Sequence, residues 1–240
     1  MEIIADLHTH TIASTHAYST ITEMVQAASA KNLYAIAITD HGRQMPGSPR
    51  EFYFETMGTF VPKELFGVRV LKGMEANILD YDGNIDCDDF LADKLDWIVA
   101  SMHTQIIKEK ADIEKCTHSY LQLAKNKNVN VVGHSDTVCF KYDYEKVIPE
   151  FAKNGILIEI NNSTFNFKKN SMDNCVEIIK ACKKHNARVV VNTDAHFFTF
   201  VGNAQPALEV LKELDFPKHL IVNSSVETLK EYFKEKNIDY

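Results

Sequence analysis

Apolar runs of strand length alternate along this chain with stretches whose apolar positions recur every three or four residues, and that alternation predicts parallel βα units. The expected strands are Glu2–Asp6, Ala35–Thr39, Arg69–Met74, Trp97–Ser101, Asn130–Gly133, Ile156–Ile160 and Arg188–Asn192. Several are β-branched and apolar on both faces, as strands covered from both sides are. Thr20 followed three residues later by Glu23 predicts a capping box opening a helix through Lys31. Helical spacing also marks residues 111–127, 143–153, 172–186, 204–213 and 225–236. The segment 43–66, rich in Pro, Gly and Phe, reads as a long loop with a short helix.

Polar residues fall on this map with a regular phase. His8 and His10 follow the first strand, Asp40-His41-Gly42 the second and Glu75 the third. His103 follows the fourth, His134 the fifth, Glu159 and Asn161-Asn162 the sixth, and Asp194-Ala195-His196 the seventh. In a closed parallel barrel all strand C-termini lie on one face, where such barrels build their sites. Unrelated surface histidines have no reason to share that one point of the βα period. Side chains at i and i+2 of an extended chain point the same way, so His8 and His10 can grip one metal ion. Asp6 and Asp40 each precede a ligand-type histidine, Asp40 on the opposite parity, and both are expected to support from behind. His118, His185 and His219 fall in or beside helical stretches and are assigned to the surface.

Length and composition narrow the reading. A chain of 240 residues, 45% of them hydrophobic, can bury a substantial core, and one domain over 1–240 is the economical organisation. A net charge of −7 and a pI near 5.8 argue against a nucleic acid or an acidic membrane as the main partner. Five cysteines without a C-x-x-C fit reduced thiols. The N-terminus shows no charged leader with an apolar core, and no apolar run approaches the roughly 18 residues of a membrane span, so a soluble, cytoplasmic protein is expected. Gly133-His134-Ser135-Asp136-Thr137 lacks the second glycine of a nucleophile elbow, and a serine hydrolase would leave the histidines unexplained.

His8-Thr9-His10, His16, Thr39-Asp40-His41-Gly42, Gly73-Met74-Glu75, Ser101-Met102-His103, Gly133-His134 and Asn192-Thr193-Asp194-Ala195-His196 together resemble the PHP superfamily of polymerase-associated and histidinol-phosphatase domains. Glu75-Ala76-Asn77-Ile78 and Glu159-Ile160-Asn161-Asn162-Ser163 look most like its small stand-alone YcdX-like phosphatases. The resemblance implies an α/β fold, a single-domain distorted (β/α)7 barrel with three divalent metal ions at the C-terminal ends of the strands. By that likeness His8, His10, Glu75 and Asp194 hold the first ion. Glu75, His103 and His134 hold the second, and His16, His41 and His196 the third.

Seven histidines and two carboxylates form a donor set suited to Zn, with Mn or Fe as alternatives, and too rich in nitrogen for Ca or an ordinary Mg site. The expected activity is a metal-dependent phosphomonoesterase acting on small phosphorylated metabolites, by attack of a metal-bridging hydroxide on phosphorus. Glu75, Asp194 and His196 are expected to carry the catalysis. Arg43 is the first choice to bind phosphate, and Lys168 or Lys169 the second. Phe52, Tyr53, Phe54 and Phe60 could form a lid. Two other readings stand beside this one: a phosphodiesterase or exonuclease-like hydrolase, and a metal- and phosphate-binding module without turnover.

Overall fold

The apolar runs become neighbouring strands of one sheet in the computed structural model, which describes residues 2–239 apart from the side chain of Lys169. The strands are β1 (Ala5–Thr9), β2 (Ala35–Ile38), β3 (Glu64–Leu65), β4 (Val68–Asn77), β5 (Trp97–Ser101), β6 (Val131–Val132), β7 (Leu157–Asn161) and β8 (Val189–Asn192). Seven of them run parallel in the order β1-β2-β4-β5-β6-β7-β8, while β3 forms a short antiparallel hairpin with β4. The β1 and β8 edges approach without a continuous ladder. Thr9 bridges Ala195, His10 N–H donates to the Ala195 carbonyl (2.9 Å), and Leu7 N–H donates to Asn192 Oδ1 (2.9 Å). The result is a nearly closed (β/α)7 barrel.

The helices are α1 (Ile21–Ala30), α2 (Glu51–Phe60), α3 (Asp89–Ala92), α4 (Ile113–Leu123), α5 (Tyr144–Lys153), α6 (Asn162–Asn166), α7 (Met172–His185), α8 (Gln205–Glu213) and α9 (Val226–Glu235). The expected capping box opens α1, with Glu23 N–H donating to Thr20 Oγ1 and Thr20 N–H donating to Glu23 Oε2. Inside the barrel Leu7, Leu71, Trp97, Val99, Leu157 and Val190 pack with Leu229, Tyr232 and Phe233 of α9. Tyr232 donates to the carbonyls of Asn130 and Gly155, which precede β6 and β7, so α9 plugs the N-terminal end of the barrel. The opposite end is left to polar side chains.

Several boundaries differ from the expected ones. β1 begins at Ala5 and runs to Thr9, so His8 lies within the strand. Three steps on β1, from Asp6 to Thr9, face two on β2, from Ile36 to Ile38. This extra residue breaks the strand parity, so that Ala5 and Leu7 pack in the barrel and His8 still turns inward at its polar end. β4 extends to Asn77 and carries Glu75 inside it. The segment 43–66 holds a ten-residue helix, α2, which buries Phe54 and Met57, and the β3 strand. α3 and α6 span four and five residues, too short for helical periodicity to mark. The five cysteines are free thiols, with Cys139 exposed. No helix among the described residues is long and apolar enough to cross a membrane.

Candidate metal centre

Seven imidazoles and two carboxylates from seven segments converge at the C-terminal end of the barrel. Glu75, fully buried in β4, is the hub: its Oε1 lies 2.9 Å from His134 Nε2 and 3.4 Å from both His8 Nε2 and His103 Nε2. Its Oε2 lies 2.5 Å from His41 Nδ1 and 3.6 Å from His10 Nε2. Asp194 Oδ1 stands 3.1 Å from His10 Nε2 and 3.7 Å from His8 Nε2. His196 stacks on His10 and His16, with ring centroids 4.3 and 4.6 Å apart, and the exposed His16 has its Nε2 3.2 Å from His41 Nε2.

The backbone is bent to deliver two of these groups. His134 and Asp194 adopt positive φ angles of 25° and 54°, a region that Asp, Asn and His enter more readily than other residues with a side chain. A Cβ on Gly133 would come within 2.2 Å of Ser101 Oγ and 2.7 Å of Val99 Cγ1, so only glycine lets the chain turn there.

A further set of polar groups orients the imidazoles. Glu159 accepts from His8 Nδ1 at 2.7 Å, and its carboxylate is itself held by His134 N–H, Asn161 Nδ2 and Asn192 Nδ2. His103 Nδ1 donates to Asn77 Oδ1 (2.9 Å), and His196 Nδ1 donates to the Asp194 carbonyl (2.8 Å). Each of these bonds leaves the ring's Nε2 as the atom facing the cluster. The sequence marks Glu159 as a strand end and as part of the resembling motif, but not as the support of His8. Asp40 accepts from Thr11, Ser14 and Tyr53, and Asp6 from Thr193 and Gly202, so both brace the loops that carry the histidines.

Burial would suppress every charge here, and the outcome depends on the neighbours. Burial and the adjoining His196 and His41 hold His10 well below the ordinary histidine range. Burial holds His103 at about 4. Burial also opposes protonation of His8, but Glu159, Glu75 and Asp194 overcome it and raise its pKa well above the usual value. Glu75 and Asp194, for which burial favours the acid, are pulled well below the carboxylate range by the histidines around them.

The donor atoms fit metal ions. Nε2 of His8 and His196 and Nδ1 of His134 are buried without a hydrogen-bond partner, while Nε2 of His10, Nδ1 of His41 and Oε2 of Glu75 face only other atoms of the cluster, an arrangement that is costly unless a cation occupies the space. Three groups have ligand atoms within 4.8 Å of one another: His8, His10 and Asp194; His41, Glu75 and His103; and His10, His41 and His196.

The centre opens into a cleft of about 610 Å³ whose lining includes Lys168, Tyr18, Phe167, Phe197 and Phe200. Lys168 Nζ lies 3.8 Å from Asp194 Oδ2. Arg43 instead pairs with Glu51, the first residue of α2, and does not line the cleft. Lys169's side chain lies outside the described residues. The suggested lid is not formed by 52–60: Phe54 is buried under α2, Tyr53 donates to Asp40, and Phe52 and Phe60 point to solvent. The aromatic wall comes from Tyr18, from the end of α6 and from the turn after β8, none of which carries a periodic signal. Asn162 lines the cleft but spends its amide on Asn203 and Ala207. Ser135 is buried and bonded to Tyr142, not poised as a nucleophile.

A family model described as the PHP domain matches residues 6–163. A probable phosphatase from Acetivibrio thermocellus is 41% identical over 236 residues, covering 98% of this chain and 97% of its own. One from Caldicellulosiruptor saccharolyticus is 37% identical over 241 residues, covering both chains fully. Among solved structures, histidinol phosphate phosphatase from Lactococcus lactis, complexed with zinc, L-histidinol and phosphate, shares the fold at a TM-score of 0.61 and 17% identity, over 89% of this chain and 94% of that one. With a family match across most of its length and full-length relatives above the level at which fold is shared, this chain belongs to the PHP domain family.

Proposed function

We propose that this protein is a metal-dependent phosphomonoesterase acting on small phosphorylated metabolites. The observation that carries the reading is the set of buried imidazole and carboxylate atoms left without hydrogen-bond partners at the floor of an open cleft. Relatives named probable phosphatases and a zinc-bound phosphatase of the same fold support it. Three ions are proposed, held by His8, His10, Glu75 and Asp194; by Glu75, His103 and His134; and by His16, His41 and His196. The three donor groups of the structure overlap these sets but differ from them, with His10 in place of His16 beside His41 and His196, and His41 in place of His134 beside Glu75 and His103. The donors are mostly neutral nitrogen, which favours zinc, with manganese or iron as alternatives.

When bound, the ions supply positive charge opposite phosphate oxygens and lower the pKa of water at the site, so no side-chain nucleophile is required. The chain's own groups do the rest. Glu159 and Asn77 keep the His8 and His103 rings in one orientation. Lys168, whose Nζ lies 3.8 Å from Asp194, would pair with a phosphate oxygen. The cleft volume of about 610 Å³ suits a metabolite, and the net charge of −7 offers little to track a polynucleotide.

The test is hydrolysis of p-nitrophenyl phosphate beside bis-p-nitrophenyl phosphate by chelator-stripped protein reloaded with Zn²⁺ or Mn²⁺. Metal-dependent turnover of the monoester with little on the diester supports the proposal. The reverse preference would favour a phosphodiesterase, and absence of both a non-catalytic binding module.

A further inference from the structure

The rim of the cleft carries an unusual load of exposed aromatic surface. Tyr18, Phe167, Phe197 and Phe200 are 70%, 68%, 37% and 41% exposed, and all four line the cleft. They come from three separate segments: the loop before α1, the residue after α6 and the turn after β8. Large apolar side chains gathered at one mouth and left facing water mark a surface that a ligand covers. The Phe167 and Phe200 rings meet edge to face with centroids 5.7 Å apart, leaving ring faces free to stack.

These rings begin where the ligand-type residues stop. Phe197 follows His196 directly, Tyr18 N–H donates to the His196 carbonyl (2.9 Å), and Phe167 precedes Lys168. A phosphate held between the imidazoles and Lys168 therefore points its alcohol toward the aromatic rim. The charge pattern restricts that alcohol further. Among the described residues lining the cleft, Asp194 is the sole carboxylate, and its oxygens are directed at His10 (3.1 Å) and Lys168 (3.8 Å). No carboxylate among the described lining residues is left to pair with an ammonium group.

We infer that the cleft selects phosphomonoesters whose alcohol carries an uncharged planar ring, a specificity that rests on the phosphatase reading and names its substrate class. Binding can be read without turnover, using phosphonates that cannot be hydrolysed. Calorimetry on the zinc-loaded protein would compare 2-phenylethylphosphonate, ethylphosphonate and 2-aminoethylphosphonate. The expected result is at least tenfold tighter binding of the phenylethyl compound than of the ethyl one, and no advantage for the aminoethyl one. In a Phe167→Ala/Phe200→Ala protein the phenylethyl-to-ethyl ratio should fall to about one. Equal affinities for all three, or tightest binding of the aminoethyl compound, would overturn the inference. Full retention of the ratio in Phe167→Leu would overturn the requirement for a ring. Hydrolysis of the matching phosphates separates the two claims. A phosphonate preference without hydrolysis of 2-phenylethyl phosphate keeps the aromatic site and removes the phosphatase. Equal kcat/KM for ethyl and phenylethyl phosphates, with equal phosphonate affinities, does the opposite.

Discussion

Glu159 gives the sharpest expectation for a single residue. It touches no proposed ligand atom directly, but its carboxylate fixes the His8 ring and gathers donors from two neighbouring strands. Glu159→Gln should keep the fold and weaken metal binding about ten- to a hundredfold, the usual cost of losing a carboxylate behind a ligand histidine. Competition with a fluorescent chelator measures it, and unchanged affinity would show that His8 needs no such support. Protonation adds a second expectation, for the metal-free protein. His103 has a pKa of about 4 when folded against an ordinary 6.5, so the unfolded chain takes up its proton first and stability falls as pH drops from about 6.5 to 4. His10, also lowered, acts in the same direction. His8 and His41 act oppositely, since their raised values contribute stability below pH 6.5 that is lost as pH rises through the folded pKa. In urea titrations of stripped protein between pH 7 and 4.5, His103→Gln should therefore lose less stability on acidification than the unaltered protein, and an identical pH dependence would contradict the lowered value. The site histidines other than His16 were legible because each stands at or just past the end of a strand, whereas His16, in the loop before α1, was marked only by the family resemblance. The role of Glu159 was not legible, since it depends on His8, His134 and Asn192 arriving from three other strands, and pairing between strands leaves no local mark.

At the level of elements, the floor of the barrel is clasped by α9. Its Tyr232 hydroxyl lies 3.0 Å from the carbonyls of both Asn130 and Gly155, and its ring packs against Trp97 at 5.9 Å. Tyr232→Phe keeps the ring and removes the hydroxyl, so it should cost about 1 kcal/mol by taking a partner from the Gly155 carbonyl, while the Asn130 carbonyl keeps its bond from Leu157 N–H. Denaturation midpoints would register that loss, while metal content should stay unchanged because the clasp and the centre lie at opposite ends. A shifted metal content would mean that the two ends are coupled. The seven parallel strands and most helices were legible from alternation and three- to four-residue spacing. The extra residue in β1 was not, because it is defined by register against β2. A short helix was legible within 43–66, but the Pro and Gly content of that segment hid the ten-residue length of α2. The aromatic wall escaped for a related reason: Phe167 and Phe200 sit just past a five-residue helix and within a tight turn. The 52–60 cluster, which drew attention as a lid, is the buried and outer face of a helix instead.

For the whole molecule, two demands meet at one end of an acidic chain. The barrel has a polar end, and the buried imidazole and carboxylate atoms there could hold cations. Cations that bind only the folded state stabilise it by mass action, so folding and activity should depend on the same metals. The most direct measurement is the rate of p-nitrophenyl phosphate hydrolysis as Zn²⁺ is titrated into chelator-stripped protein of known concentration. The account predicts a rate near background without metal and a rise that ends at about three equivalents per chain, the number of proposed sites. Full activity in the stripped protein, or no activity after saturation, would contradict it.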